Sequence, residues 1–176
     1  MILYFSATGN SEYVARRIAA ETGDIAVSIT DCYKKQIFSF DEKCKTLGIV
    51  SPTYSWGLPV IVIEFLQRLD LSHKPDYIFF IATYGTTPGQ AGRFADNILA
   101  PKGLPLSAKF SVKMPDTWTP IFDLSDPRKV RRINLHAEQE IDFVIERIQS
   151  QSAGDYMRSK AVLRAGIRRN TQNQPF

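Results

Sequence analysis

The sequence predicts an open, doubly wound α/β domain, a parallel sheet with helices on both faces. Three observations predict it. Residues 2–5, 46–51 and 77–83 are short apolar runs of the kind found in strands buried on both faces. Helical periodicity follows each of them after a loop, and alternation of strands with helices specifies a parallel sheet. The loops with unusual chemistry, 6–11, 52–57 and 84–89, all follow strands. In such sheets, ligands bind beyond the carboxyl ends of the strands.

The elements follow in order. Residues 2–5 form the first strand, and 6–10 a loop containing Gly9. A helix starts near Ser11, with Val14, Ala15, Ile18 and Ala19 at helical spacing and Gly23 at its C-terminal cap. Residues 25–29 give a second strand, and 31–45 a loop with at most a short helix. The third strand, 46–51, stops at Pro52, and Pro59 suits the first turn of the next helix. Val60 to Ile63 is a β-branched run, but Phe65, Leu66 and Leu69 continue a helical stripe, so 59–69 is predicted helical.

Residues 77–83 form the central strand, followed by a helix carrying Ala91, Phe94, Ala95, Ile98 and Leu99. Alternation at Ala108, Phe110, Val112 and Met114 gives a fifth strand over 107–114. A long loop over 115–125 ends at Asp126-Pro127, an N-cap and N1 pair opening a long amphipathic helix. Residues 1–150 are expected to form one domain, and 151–176 a basic tail, helical at its start.

Bulk properties agree with one soluble domain. The chain has 176 residues, 44% hydrophobic and 23% charged. No apolar run approaches the roughly 18 residues that span a bilayer, and the first residues lack the basic region of a signal peptide. A cytoplasmic protein is expected. Two cysteines, Cys32 and Cys44, fall short of a zinc or iron–sulfur set and are expected as reduced thiols. Residues 127–176 hold 10 Lys and Arg against 5 Asp and Glu, so the net charge of +4 belongs to the C-terminal third. No aromatics interleave with the late arginines, which fits a solvated helix face better than a nucleic-acid surface.

Ser6-Ala7-Thr8-Gly9-Asn10-Ser11 joins the first strand to the first helix. Hydroxyls, free backbone N–H groups and the positive end of a helix are what a phosphate monoester needs. An ordinary N-capping loop would share these residue types. Neither GxxxxGK[ST] nor GxGxxG is present at this turn.

Phe5-Ser6-Ala7-Thr8-Gly9-Asn10-Ser11 resembles the [ST]-x-T-G-N-[ST] signature of flavodoxins, and the resemblance extends over about residues 1–150. It is nearest to the FMN half of bacterial flavodoxin–ferredoxin fusion proteins, the iron–sulfur flavodoxin-like group. Pro52 to Pro59, Ala82 to Gly85 and Met114-Pro115-Asp116 look like that group's pattern. The resemblance implies a five-stranded sheet of order 2-1-3-4-5 and non-covalent FMN, with Ser6, Thr8, Gly9, Asn10 and Ser11 on the phosphate. Pro52, Thr53, Tyr54, Ser55, Trp56 and Gly57 would lie against the inner side of the ring. Thr83, Tyr84, Gly85 and Gly89, with Thr86, would meet its pyrimidine end. Tyr54, Trp56 and Tyr84 are the candidates to stack, and Gly57 for a carbonyl that turns toward flavin N5.

The expected function is electron transfer by bound FMN in one-electron steps with a redox protein, of ferredoxin or reductase type. Flavodoxins are usually acidic, whereas this chain has pI ≈ 9.1, which turns the expectation toward an acidic partner. The ferredoxin half of the fusion proteins is rich in cysteine, and no CxxC occurs here. Neither nucleic acid nor a membrane is expected as partner, and no side chain is assigned a catalytic or metal-binding role. The alternatives are an FMN-dependent NAD(P)H:quinone-type reductase, with Asp116, Trp118 and Asp123 walling a pocket, and a binding module that has lost the flavin.

Overall fold

The computed structural model describes residues 1–41, 43–117 and 125–157. β1 (Ile2–Tyr4) leads into α1 (Asn10–Thr22), and β2 (Ala26–Ser28) into α2 (Ile29–Lys34). A two-residue strand, β3 (Ser39–Phe40), precedes β4 (Thr46–Pro52) and α3 (Val60–Arg68). Another, β5 (Asp70–Leu71), precedes β6 (Tyr77–Tyr84) and α4 (Ala91–Leu99). Then come β7 (Ala108–Lys113), α5 (Pro127–Gln149) and β8 (Gly154–Asp155).

The main sheet has the order β2-β1-β4-β6-β7-β8, and every pairing in it is parallel. Its longest ladder runs from Thr46 opposite Tyr77 to Pro52 opposite Thr83. The first five strands keep the expected 2-1-3-4-5 order, and β8 adds a sixth. Residues 151–157, expected to begin a helix, instead pair with β7. Gly154 N–H donates to the Ser107 carbonyl at 3.0 Å, and Tyr156 N–H to that of Lys109 at 2.8 Å. The Tyr156 ring stacks on Phe110 with centroids 5.0 Å apart. These long-range contacts outweigh a weak local preference. The rest of the expected tail, 158–176, lies outside the described residues.

The two faces of the sheet carry different helices. Ile2, Tyr4, Val50, Phe79, Ile81, Phe110 and Val112 pack against α1 and α5. Leu3, Leu47, Ile49, Ile78, Phe80 and Ala82 pack against α2, α3 and α4. Phe65, Phe79, Phe80 and Phe110 are fully buried, each stabilising the fold by about 1.5–3 kcal/mol relative to exposure. The β-branched start of α3 is helical because Val62, Phe65 and Leu66 share one buried face, which leaves Val60 in solvent. Ser28 caps α2 by accepting from Asp31 N–H, so a helix begins where the second strand was expected to continue through Ile29. β3 and β5 form a separate two-stranded sheet.

α1 and α5 run parallel. Tyr13 hydroxyl donates to Glu138, Arg17 Nη2 lies 3.4 Å from Asp142, and Gln149 amide donates to the Glu21 carbonyl at 3.2 Å. Both helices therefore start at the carboxyl edge of the sheet. Asp126 caps α5 by accepting from Arg128 and Lys129 N–H at 2.9 and 3.4 Å.

Candidate cofactor site at the carboxyl edge of the sheet

The chain leaves β1 after Phe5, whose N–H still donates to the Val50 carbonyl at 3.0 Å. Ser6 Oγ then accepts Gly9 N–H at 3.1 Å and folds the loop back on itself. Gly9, with φ 96°, sits at the N-cap position, and α1 has no side-chain cap. A residue with a Cβ is strained at that φ. Leaving the helix end without a cap leaves its first N–H groups for an anion. Ser6 is half-buried and Thr8 exposed.

Two residues of the phosphate-loop motif face the protein as well. Asn10 donates its side-chain amide to the Pro115 carbonyl at 3.0 Å. Ser11 is buried, and its hydroxyl lies 2.7 Å from Thr83 Oγ1. With that hydroxyl committed, a phosphate would meet Ser11 through its backbone N–H. Thr8 Oγ1 lies 3.1 Å from Thr117 Oγ1, so the loop after β7 is tied to the phosphate loop at two points.

After β4, residues 54–57 form a tight hairpin. Tyr54 N–H donates to the Gly57 carbonyl at 3.1 Å, and Gly57 N–H to the Tyr54 carbonyl at 2.8 Å. The two residues between, Ser55 and Trp56, have φ of 46° and 63°. Positive φ at both central positions is the mark of a type I′ turn, normally built from Asn and Gly. Here a Ser and a Trp hold it under strain, a condition concentrated at functional sites. Trp56 is 69% exposed and Tyr54 46%, with the Tyr54 ring edge-on to Phe5 at 6.4 Å. Burial of its inner part pushes the Tyr54 hydroxyl pKa up. Two large rings thus stand in solvent beside the phosphate loop. The Gly57 carbonyl would have to release Tyr54 N–H to turn toward a flavin, whereas no hydrogen bond to the Ser55 carbonyl forms among the described residues.

The loop after β6 supports this hairpin. The Thr83 carbonyl accepts Thr53 N–H at 2.9 Å, and Thr53 hydroxyl donates to the Pro88 carbonyl at 3.2 Å. Gln90 N–H donates to the Trp56 carbonyl at 2.8 Å. Gly89 has φ 54°, and backbone atoms of Trp56 occupy the place its Cβ would take. At Gly85 that place is filled by the Asp116 side chain, which also receives the Thr86 hydroxyl at 3.5 Å. Tyr84 falls inside β6, half-buried. Burial pushes its pKa up to about 12, Glu140 adds to the rise, and a hydrogen bond with Ser111 opposes it. Its ring is less available for stacking than those of Tyr54 and Trp56.

The structure thus brings the three predicted loops together with residues 114–117 after β7, the start of the loop in which Asp116 was expected to wall a pocket. Sequence reasoning gave no site role to Phe5, Gln90 or Thr117. Their only signal is position, since each lies just beyond a strand end or opens the helix after a site loop. Trp118 and Asp123 lie outside the described residues. Among the described residues, no group of His, Cys, Asp and Glu could hold a metal, and no helix is long and apolar enough to cross a membrane. An uncapped helix start rimmed by hydroxyls, beside exposed rings on a strained turn, fits a phosphate-bearing ligand with a flat aromatic end.

Known proteins share this fold. The family described as Flavodoxin domain matches residues 1–143. No curated protein matches the chain. Among solved structures, the Flv1 flavodiiron core from Synechocystis sp. PCC6803 superposes with a TM-score of 0.51 and 17% identity, over 84% of this chain and 36% of its own. Rubredoxin oxygen:oxidoreductase from Desulfovibrio gigas gives 0.49 and 16%, over 80% and 35%. A flavodoxin from Streptococcus pneumonia TIGR4 gives 0.47 and 16%, over 78% and 95%. The chain spans about a third of the length of the first two, and all three likenesses concern the fold. Matched from Met1 into α5, and with a site that fits the cofactor, the chain belongs to the flavodoxin domain family, whose cofactor is FMN.

Proposed function

We propose that this chain is an electron carrier that passes electrons one at a time between FMN and a protein partner. The observation that supports it is the hairpin of residues 54–57, which presents Trp56 and Tyr54 to solvent at a turn whose central residues, Ser55 and Trp56, are strained. The residues around it bind and orient. Ser6, Thr8 and the N–H groups at the start of α1 would hold the phosphate. Tyr54 and Trp56 would cover the ring, and backbone of residues 55–57 and 85–89 would reach its polar edge. FMN supplies the redox chemistry when bound. The chain sets its surroundings, and the site lies open at the sheet edge, where a partner can approach.

The test is a visible spectrum of the purified protein with added FMN during stepwise anaerobic reduction. Two resolved one-electron stages support the carrier. Conversion in a single two-electron stage, with hydride taken from NAD(P)H, replaces it by a reductase. Failure to retain FMN would leave the fold without the proposed function.

A further inference from the structure

The first two turns of α5 carry Arg128, Lys129, Arg131 and Arg132, all exposed. None of them enters an ion pair among the described residues. This is the end of a helix where cations are disfavoured, because the peptide dipoles place positive charge there. The first turn of α5 has no acidic residue to offset them, apart from the capping Asp126. Four cations at the unfavourable end of a helix, none ion-paired among the described residues, do not serve its stability.

Their position follows from the packing of α5 on α1. Tyr13 bonds to Glu138 and Arg17 to Asp142 in two parallel helices, so Asn10, the first residue of α1, is level with about residue 135 of α5. Residues 127–134 therefore project beyond the start of α1 by roughly 12 Å, at 1.5 Å per residue. α5 overhangs the phosphate loop. From this overhang down to the level of Tyr13 an open groove is lined by Pro127, Val130, Arg131, Asn134, Leu135 and Glu138; the Glu138 carboxylate is engaged by Tyr13 and Arg17, and Leu135 is 60% exposed. An apolar strip rimmed by arginine is the composition of a protein interface. Nucleic acid would draw on the charge alone.

We propose that the overhanging start of α5 is the docking surface for an acidic electron-transfer protein, which it holds beside the cofactor edge. This rests on the carrier reading and names its partner class. The cations would steer the partner in, and the strip around Val130 and Leu135 would seat it.

The test titrates the FMN-loaded full chain with an oxidised plant-type [2Fe–2S] ferredoxin, a strongly acidic protein, by calorimetry at two salt concentrations. Binding should weaken about tenfold or more between low and physiological salt. R128E/R131E should weaken it about tenfold or more at low salt, while K34E/K35E, the same charge change at the end of α2, should shift it less than about threefold. Wild-type affinity in R128E/R131E overturns the proposal, and so does an equal loss in K34E/K35E, which would mean that only net charge matters. Binding of duplex DNA or phosphatidylserine vesicles that R128E/R131E abolishes, with no ferredoxin binding by the wild type, also overturns it. Bound FMN is read by absorbance in the same samples. Its absence sinks the carrier reading, whereas its presence without charge-dependent ferredoxin binding sinks only the docking surface.

Discussion

Ser11 Oγ and Thr83 Oγ1 lie 2.7 Å apart in the interior, 1% and 2% exposed. The pair joins the first turn of α1 to the last turn-out of β6, two segments whose loops hold opposite ends of the site. Each hydroxyl is the other's partner in a place that water does not reach. The spacing between the phosphate loop and the loop of residues 84–89 is therefore held by a single buried hydrogen bond as well as by the sheet.

Removing one hydroxyl strands the other. Ser11→Ala should destabilise the protein by about 1–3 kcal/mol, the cost of an unsatisfied buried donor or acceptor. Thr83→Val should cost a similar amount, and the double variant less than the two together. Urea unfolding of the four proteins measures this, and fully additive losses would show that the pair is not coupled. FMN affinity should fall in each single variant.

Gly89 and Gly57 should respond differently to the same change. A Cβ at Gly89 meets the Trp56 backbone, at a φ of 54° that already disfavours side chains. At Gly57 the nearest atom would be Phe94 Cε2 at 3.3 Å, a ring edge that can give by a few tenths of an ångström. Gly89→Ala should cost about 1–3 kcal/mol from backbone strain, with loss of FMN binding because the two loops separate. Gly57→Ala should melt within a few degrees of wild type. Equal melting temperatures for the two variants would contradict this packing.

The order of strands and the edge that carries the site were legible because apolar runs and loop chemistry are local signals. Residues 2–5, 46–51 and 77–83 are short apolar runs that each end at a loop, and Ser6 to Ser11 follow the first of them. β8 was not legible. Gly154 and Asp155 form a strand only because Ser107 and Lys109 offer carbonyls and Phe110 offers a ring to Tyr156. The inward turn of the Ser11 hydroxyl depends on Thr83, 72 residues away. The turn at Ser55-Trp56 gave no warning, since neither residue favours positive φ and the hydrogen bonds that hold it in place reach Thr83, Pro88 and Gln90, some 30 residues on.

Glu140 gives the protein a pH dependence of known sign. It is 4% exposed, and its Oε2 accepts Lys113 N–H at 2.6 Å. Burial holds its carboxyl above the ordinary glutamate range, against the opposing effects of that N–H, of His136 3.7 Å away and of the Lys113 charge. The folded protein keeps this proton to higher pH than the unfolded chain. Stability contributed by Glu140 is thus lost as pH rises from about 4.3, the unfolded value, through the raised folded one. Glu140→Gln keeps an oxygen for Lys113 without titrating. Its stability relative to wild type, from urea midpoints at a series of pH values, should improve as pH rises through that window. A difference that is flat or declines with pH would rule this out.

Trp56 offers the sharpest separation between a structural and a functional aromatic. It is 69% exposed at φ 63°, so its side chain contributes little to the fold, and its backbone prefers to be glycine. Trp56→Gly should leave the melting temperature of the FMN-free protein unchanged or raised, since it relieves strain at the turn. FMN affinity should fall about tenfold or more, because an aromatic stacking surface contributes roughly 1 kcal/mol beyond the area it buries. Fluorescence titration of FMN, set beside thermal melts of the same samples, reads both quantities. A lower melting temperature with unchanged FMN affinity would make Trp56 a packing residue, and would move the ring of the cofactor away from this hairpin.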